Sequence, residues 1–328
     1  MRRARLQAPG LRLAGVIGLG AALLVGLSPA VVTAYELFVV VTLLRYVVLA
    51  QAWNLLAGYT GLLSLGNQVF VGVGAYVMSL VLIHWGWPLV AAFLVGGGAA
   101  ALFGVVTYLP LFRLRGGYFA ISTLLVALAT SVWMVNWDFV GANSGLNLPP
   151  AAIPSLEGQF FYAWLTMLGF LAVQWGLLRT RLGLFFQAVR DDEEAAQTVG
   201  TNPLTVKVAA VGVSAFASGL AGGLLAMELI SIQPGSAFSI NVMLDMLVMV
   251  TIGGMGTLMG PAIGAVLLIV MEQELQQYET VSLLLKAVLL IAAVQVAPQG
   301  LMGVLSTTRS AATRWWKVRV SETASPRR

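Results

Sequence analysis

The amino-acid sequence predicts an all-α protein: a polytopic transmembrane helical bundle of about ten spans, including short interrupted helices, with both termini in the cytoplasm. Of its 328 residues, 59% are apolar or aromatic and only 9% are charged, and the mean hydropathy is +0.90. Soluble domains carry roughly 25% charged residues, so this composition excludes an ordinary water-soluble protein. The apolar residues also form long blocks, and a helix that crosses the bilayer core needs roughly 20 of them.

The apolar blocks define the elements in chain order. They cover residues 13–33, 36–57, 62–85, 88–112, 117–137, 159–178, 204–227, 241–271 and 281–298. Block 241–271 is too long for one span and contains a glycine-rich run that ends at Pro261. Because glycine weakens a helix and proline stops one, we expect two short helices there. The connection 138–158 is rich in Gly, Asn, Ser and Pro, which predicts an irregular outer loop that either contacts a partner or only connects two spans.

The basic residues decide the orientation. With two spans in block 241–271, every Lys and Arg except Arg45 and Lys286 falls in loops or tails on one side of the membrane. Such a basic excess marks the cytoplasmic side. We therefore expect a cytoplasmic tail over 1–12, a membrane domain over 13–303 and a basic cytoplasmic tail over 304–328.

The first block has an alternative interpretation. Its arginines, its apolar run and the sequence Val32-Thr33-Ala34 are also typical of a secretory signal with its cleavage site. An apolar run of about 20 residues is longer than a signal core of roughly 7–15 residues, which favours a retained helix.

Composition excludes several chemistries. The chain has no cysteine and a single histidine, which leaves no thiolate nucleophile, no disulfide and no His-rich metal cluster. Its lysines, Lys207, Lys286 and Lys317, do not follow glycine, so there is no Gly-Lys-Ser/Thr phosphate loop. We expect no enzyme, no metal, no cofactor bound by this chain and no nucleic-acid partner. If the chain pumps a solute, the energy must come from a partner ATPase or from an ion gradient.

The cytoplasmic connection 179–203 predicts an amphipathic helix. Gly200 suits the left-handed position after a helix, and Pro203 forbids its continuation. Arg190 and Glu194 stand four residues apart, so we expect them to pair. The alternative is a connector with a solvated acidic face. The apolar stripe consists of Leu182, Phe185, Phe186, Val189 and Ala196.

A short pattern in this connection, Glu194-Ala195-Ala196 followed by Gly200, resembles the EAA motif of ATP-binding-cassette (ABC) importer permeases. In that class a short cytoplasmic helix docks in a cleft of the ATPase subunit. The carboxylate can meet a basic partner, the alanines permit close approach, and the glycine turns the chain back. The residues to which the resemblance assigns ATPase coupling are Arg190, Asp191, Glu194, Ala195, Ala196 and Gly200.

Other stretches are similar to the LivM-type permeases of branched-chain amino acid ABC importers. The matching stretches are residues 54–66 with Phe70 and 74–76, residues 113–120, 188–196 and 253–265, and residues 298–301. The resemblance implies a multi-pass permease of the cell inner membrane that pairs with a homologous second permease, two ABC ATPase subunits that bind ATP, and a soluble substrate-binding protein. Its substrate would be a branched-chain amino acid or a related small solute. The family also includes permeases for urea, amides and organic acids.

Polar residues inside the spans predict a translocation path. The candidates are Arg45, Gln51, Asn54, Ser64, Asn67 and Asp245. A charge at membrane depth is costly and is functional by default; a structural pair between Arg45 and Asp245 is the alternative. Asn67 and Ala52 occupy positions where the family commonly has histidine and glycine, which leaves the substrate open.

A gradient-driven carrier is the rival function. Such coupling usually requires buried carboxylates, and Asp245 is the one fair candidate. The other acids near the spans, Glu36, Glu228, Glu272 and Glu274, are expected at the outer edges.

Two glycine clusters are predicted to allow close helix packing or to act as hinges. They consist of Gly58, Gly61, Gly66, Gly253, Gly254, Gly256, Gly260 and Gly264. Small residues let helices approach closely, and interrupted helices expose ends that transporters use to hold polar substrates.

Overall fold

The computed structural model describes residues 33–275, together with Gly18, Val288, Leu301 and Met302. Apart from those single positions, the predicted tails 1–12 and 304–328, the signal-or-helix alternative for block 13–33 and the block 281–298 lie outside the described residues. Between residues 33 and 275 the chain is mostly helical. This confirms the all-α class.

The helices follow one another with short connections. They are α1 Ala34–Asn54, α2 Gln68–Trp85, α3 Leu89–Leu111, α4 Gly117–Val135, α5 Leu156–Arg179, α6 Arg181–Asp191, α7 Glu193–Thr198, α8 Pro203–Leu229, α9 Pro234–Ala237, α10 Ile240–Gly253 and α11 Gly260–Leu275. Two short antiparallel strands, β1 Leu146–Asn147 and β2 Ser231–Ile232, complete the described elements.

Seven segments between residues 33 and 275 are long and apolar enough to cross a membrane. They are Ala34–Tyr59, Gln68–Trp85, Leu89–Leu111, Gly117–Val135, Leu156–Arg179, Pro203–Leu229 and Pro234–Gly253. They correspond in order to the second through eighth predicted spans. The molecule is therefore a multi-pass helical membrane protein.

Side-chain caps explain where several helices begin. The Thr33 N–H donates to the Glu36 carboxylate at 2.8 Å, and the Glu36 N–H donates to the Thr33 hydroxyl oxygen at 3.4 Å, which forms a capping box at the start of α1. At α8, Asn202 Oδ1 accepts the Leu204 N–H at 3.0 Å, and Pro203 occupies the first helical position, where no N–H is required.

Small residues bring α8 into backbone contact with α2 and α3. A Cβ added at Gly74 would overlap the main chain of Gly219, and one added at Gly219 would lie 2.5 Å from the Ala100 Cβ. A Cβ at Gly222 would overlap the carbonyl oxygen of Val71. The three helices therefore form a tightly packed unit of the small-residue type. The sequence analysis did not single out these glycines.

The interruption predicted in block 241–271 is confirmed. α10 ends at Gly253 and α11 begins at Gly260. Gly254 and Gly256 adopt φ of 123° and 74°, a region that L residues rarely enter. The Thr257 hydroxyl donates to the Gly254 carbonyl at 2.8 Å and accepts the Gly260 N–H at 3.0 Å. The connection 254–259 is thus a defined turn.

The helix after α1 begins later than block 62–85 indicates. α1 continues as a turn of π-helix over Leu55–Tyr59, and residues 61–67 are not helical before α2 begins at Gln68. Gly61 has a φ of 72°, and the Thr60 hydroxyl donates to the Leu56 carbonyl at 2.6 Å. The sequence blocks placed this break at residues 58–61, and the leucines that follow did not indicate that it extends to residue 67.

The two ends of the bundle differ in charge. Apart from Arg45, all Lys and Arg residues between 33 and 275 lie in or beside the connections α3–α4 and α5–α8, which we call the basic end. At the opposite end, β1 of the connection 138–158 pairs with β2, and the His84 ring stacks on Phe139 with centroids 5.1 Å apart. The predicted outer loop is therefore irregular but anchored to the bundle.

Candidate functional site

The connection 179–203 forms two helices rather than one, so the predicted continuous helix over 182–199 is wrong. The chain breaks at Asp192, which adopts extended dihedrals. Its Oδ1 accepts the N–H groups of Glu194 and Ala195, each at 2.9 Å, and so caps α7. Asp192 followed by Glu193 and Glu194 is a sequence signal for the start of a helix, and it was not used in the prediction. We call the pair α6–α7, residues 181–198, the two-helix element.

One face of the two-helix element lies against the bundle, and the other is exposed. Phe186, Val189 and Ala196 of the predicted stripe are buried, whereas Phe185 is exposed. Asp191, Glu194 and Ala195 are also exposed. Gly200 follows α7 with a φ of 87°, as predicted for a residue that ends a helix. The exposed face therefore carries two of the predicted acids and one of the two alanines.

The predicted Arg190–Glu194 pair does not form. Arg190 pairs with Asp191 at 3.0 Å, and its Nη1 donates to the Gly58 carbonyl at 2.9 Å. Glu194 instead pairs with Arg115 at 3.2 Å, with both side chains about three-quarters exposed. The break at Asp192 explains the difference, because spacing of four brings side chains together only along a continuous helix.

An ion pair that the sequence analysis missed connects the two-helix element with α8. Lys207 Nζ donates to both carboxylate oxygens of Glu193, at 2.7 and 2.8 Å. The Lys207 side chain is only 9% exposed and that of Glu193 is 32% exposed. A lysine at the start of an apolar span, close in sequence to a run of acids, was the available signal.

The glycine-rich connections meet beneath the two-helix element. A Cβ at Gly58 would overlap the Gly256 backbone nitrogen, and one at Gly61 would lie 3.0 Å from Arg190 Cγ. Asn54 joins the two connections: its Nδ2 donates to the Thr257 carbonyl, and its Oδ1 accepts the Gly256 N–H, both at 2.8 Å. The end of α1, the turn 254–259 and Arg190 therefore form one contact, which we call the glycine junction.

The remaining predicted glycines lie close to other backbone. A Cβ at Gly66 would overlap the Thr123 carbonyl, one at Gly253 the Gly260 carbonyl, and one at Gly264 the Met249 carbonyl. Gly253 and Gly264 therefore permit the close packing of α10 against α11. The close-approach part of the glycine prediction matches this geometry, and no motion follows from it.

The polar residues of the predicted path occupy different environments near the basic end. Gln51 Nε2 donates to the Leu258 carbonyl at 2.5 Å, next to the Asn54 contacts. Ser64 Oγ hydrogen-bonds with the Tyr108 hydroxyl at 2.8 Å. Asn67 is fully buried, and among the described residues neither its Oδ1 nor its Nδ2 has a hydrogen-bond partner.

The two predicted charges lie farther along the bundle, and their pairing differs from the prediction. Arg45 Nε donates to both oxygens of Glu228, at 3.0 and 3.2 Å. Asp245 instead accepts from the Tyr46 hydroxyl at 3.2 Å. Glu228 was expected at the outer edge, but its side chain is only 4% exposed. The partner of Arg45 depends on which face of α8 meets α1, which sequence spacing does not reveal.

A multi-pass helical bundle that carries a partly exposed two-helix element at its basic end defines an integral membrane protein. The model of one protein family, described as branched-chain amino acid transport system / permease component, matches residues 35–294. The chain belongs to this family and is a LivM-type permease subunit of an ABC transporter.

Curated relatives agree with this assignment. The chain is 28% identical over 289 residues to the high-affinity branched-chain amino acid transport permease LivM of Escherichia coli and to that of Salmonella typhimurium, covering 78% of this chain and 67% of each relative. It is 35% identical over 112 residues to the ribose import permease RbsC of Haemophilus influenzae, covering 32% of this chain and 34% of that protein. No solved structure matches the chain.

Proposed function

We propose that this permease imports a branched-chain amino acid or a related small solute, and that ATP hydrolysis by partner subunits drives the import. The observation that carries this proposal is the two-helix element. Its exposed face presents Asp191, Glu194 and Ala195, and its inner face reaches the bundle through Arg190 and Glu193. An exposed acidic face can meet a basic surface on another subunit, and the inner contacts connect that surface with the membrane helices.

The full transporter then contains a homologous second permease, two ABC ATPases and a soluble substrate-binding protein. The ATPases dock at the basic end and bind the ATP. The binding protein docks at the opposite end, where the connection 138–158 is anchored to β2. Family membership and the names of the LivM relatives support this composition.

The same proposal sets the topology at ten spans with both termini in the cytoplasm. The clustering of Lys and Arg at the basic end supports a cytoplasmic location for that end. α11 is the ninth span, and blocks 13–33 and 281–298 supply the first and the tenth.

We assign the coupling role to Arg190, Asp191, Glu194, Ala195, Ala196 and Gly200. Of the path candidates, Asn67 has the strongest support, because a buried amide without a partner has hydrogen-bonding capacity left for a solute. For Arg45, the bond to Glu228 favours a structural role, and Asp245 shares a hydrogen bond with Tyr46.

The test is reconstitution of the chain with its partner permease, ATPases and binding protein in vesicles. Solute-loaded binding protein should stimulate ATP hydrolysis and uptake, and a panel of branched-chain amino acids, urea, amides, organic acids and ribose identifies the substrate. Glu194→Lys and Gly200→Leu should uncouple hydrolysis from uptake. Gly98→Leu, at an exposed position of α3 where an added Cβ meets nothing within 4 Å, is the control and should not. Uptake that an ionophore abolishes at constant ATP would instead support a gradient-driven carrier.

A further inference from the structure

The two-helix element contacts the bundle through polar links that lead to two different membrane helices. From α6, Arg190 donates to the Gly58 carbonyl at the end of α1. From α7, Glu193 accepts from Lys207, in the second turn of α8. A displacement of the element would therefore reach α1 and α8 by separate routes.

The α8 link is the more enclosed of the two ion pairs on α7. Glu193 and Lys207 are 32% and 9% exposed, whereas the neighbouring pair of Glu194 with Arg115 is 75% and 77% exposed. Exposed pairs are screened by water and contribute little. Separating the Lys207 ammonium from Glu193 would leave an unpaired charge on a side chain that is only 9% exposed, which is costly. The Glu193–Lys207 pair is thus a firm connection, and the Glu194–Arg115 pair is not.

Apolar packing does not replace this connection. A cavity of about 720 Å³ lies between α7, the start of α8 and the end of α3, and both Glu193 and Lys207 line it. The other side chains around it include Leu109, Phe112 and Gln197. Because the space between α7 and α8 is not filled by side chains, the Glu193–Lys207 pair joins the two helices there in addition to the connection 199–202.

Farther along its length, α8 contacts three other membrane helices, α1, α2 and α3. Ser214 donates to the Ala52 carbonyl of α1 at 2.7 Å. Farther along, Gly219 and Gly222 place the α8 backbone against α3 and α2 without room for a Cβ. Helices packed this closely shift as a unit rather than slide independently.

We propose that Glu193 and Lys207 are positioning residues for transport: their ion pair transmits displacement of α7 by the docked ATPase to α8 and, through α8, to α2 and α3. This inference rests on the proposed function, because it requires that an ATPase docks on the two-helix element. Neither residue needs to contact the solute or the ATP.

The test uses the reconstituted transporter and measures both ATP hydrolysis and solute uptake. Glu193→Gln and Lys207→Met should retain the ATPases on purification and retain hydrolysis, while uptake per ATP falls about tenfold, within the range of coupling factors between distant sites. The charge exchange Glu193→Lys with Lys207→Glu should restore most of the lost coupling. The matched control is Arg115→Gln, which removes the exposed ion pair on the same helix and should leave uptake per ATP unchanged.

The possible outcomes separate the two proposals. If the wild-type chain neither retains the ATPases nor stimulates hydrolysis, the proposed function fails. If the wild type couples normally and Glu193→Gln and Lys207→Met couple equally well, the proposed function stands and the transmission role is overturned. A parallel fall of hydrolysis, uptake and melting temperature, not repaired by the charge exchange, also overturns it, because that pattern indicates structural support alone.

Discussion

Replacing Glu228 with glutamine tests whether the ion pair with Arg45 holds α1 against α8. The two side chains are 4% and 6% exposed, and their nearest N and O atoms are 3.0 Å apart. At an effective dielectric constant of roughly 20, unit charges at that distance attract by about 5.5 kcal/mol. Removing one partner leaves the other charge buried and costs about 3–5 kcal/mol. We expect Glu228→Gln to lower the free energy of unfolding by that amount.

A double variant separates the loss of the pair from the loss of one charge. Arg45→Met with Glu228→Gln removes both charges of the pair, so neither member is left without the other, and we expect most of the stability to return, apart from the attraction that Arg45 also exerts on the buried Asp245 carboxylate. The assay is equilibrium unfolding of the purified chain in mixed micelles of mild detergent and dodecyl sulfate, followed by tryptophan fluorescence. Glu157→Gln, at an exposed position, is the control.

Two results would refute this reasoning. One is a Glu228→Gln variant as stable as the control; the other is a double variant no more stable than Glu228→Gln. The same double variant also tests the path hypothesis for Arg45. If the pair is structural, the refolded double variant should still transport. If Arg45 is instead a counter-charge for a substrate carboxylate, the double variant should lose uptake.

Three further predictions use the same stability assay. Gly219→Ala should destabilise the chain because its Cβ would lie 2.5 Å from that of Ala100, whereas Gly98→Ala, with nothing within 4 Å, should not. Asn54→Ala removes two hydrogen bonds of the glycine junction and should cost about 1–3 kcal/mol. Arg115→Ala removes an exposed ion pair and should cost about 1 kcal/mol or less. Equal effects of Gly219→Ala and Gly98→Ala, a neutral Asn54→Ala or a severe Arg115→Ala would each contradict the corresponding contact.

The membrane architecture between residues 33 and 275 was largely predictable because its causes are local. Long apolar blocks predict spans, and the glycine-rich run before Pro261 correctly predicts that α10 and α11 are separate helices. The break after Tyr59 was predicted too short, because three leucines between residues 62 and 65 continue the apolar block although they are not helical. Hydropathy records which residues avoid water, and it does not record whether their backbone is helical.

Pairing between helices was not predictable in the same way. Charge alone offered Asp245 as a structural partner of Arg45, as an alternative to the substrate, but Arg45 bonds Glu228. Lys207 was counted only as a marker of orientation, although it bonds Glu193. Each partner lies on an element whose rotation is set by packing elsewhere, such as the close backbone approach at the glycines of α8. Sequence spacing predicts neighbours along one helix, whereas the packing of small residues decides neighbours between helices.

The two asparagines predicted to lie on the translocation path differ in whether their side chains already have hydrogen-bond partners. Both polar atoms of Asn54 are bonded to the turn 254–259, so a solute would have to share them with the glycine junction. Asn67 has no such partner among the described residues.

We therefore expect Asn67→Leu to raise the solute concentration needed for half-maximal uptake, or to change the preferred solute, with little loss of stability. A buried amide without partners contributes no hydrogen bond to the fold, and its removal leaves no group unsatisfied. Asn54→Leu makes the same replacement of an amide by an apolar side chain. It should instead lower the melting temperature without changing the order of solute preference. Reconstituted uptake across the solute panel, measured beside melting temperatures, checks both variants. If Asn67→Leu is strongly destabilised and Asn54→Leu alters selectivity, hydrogen-bond satisfaction does not identify the path.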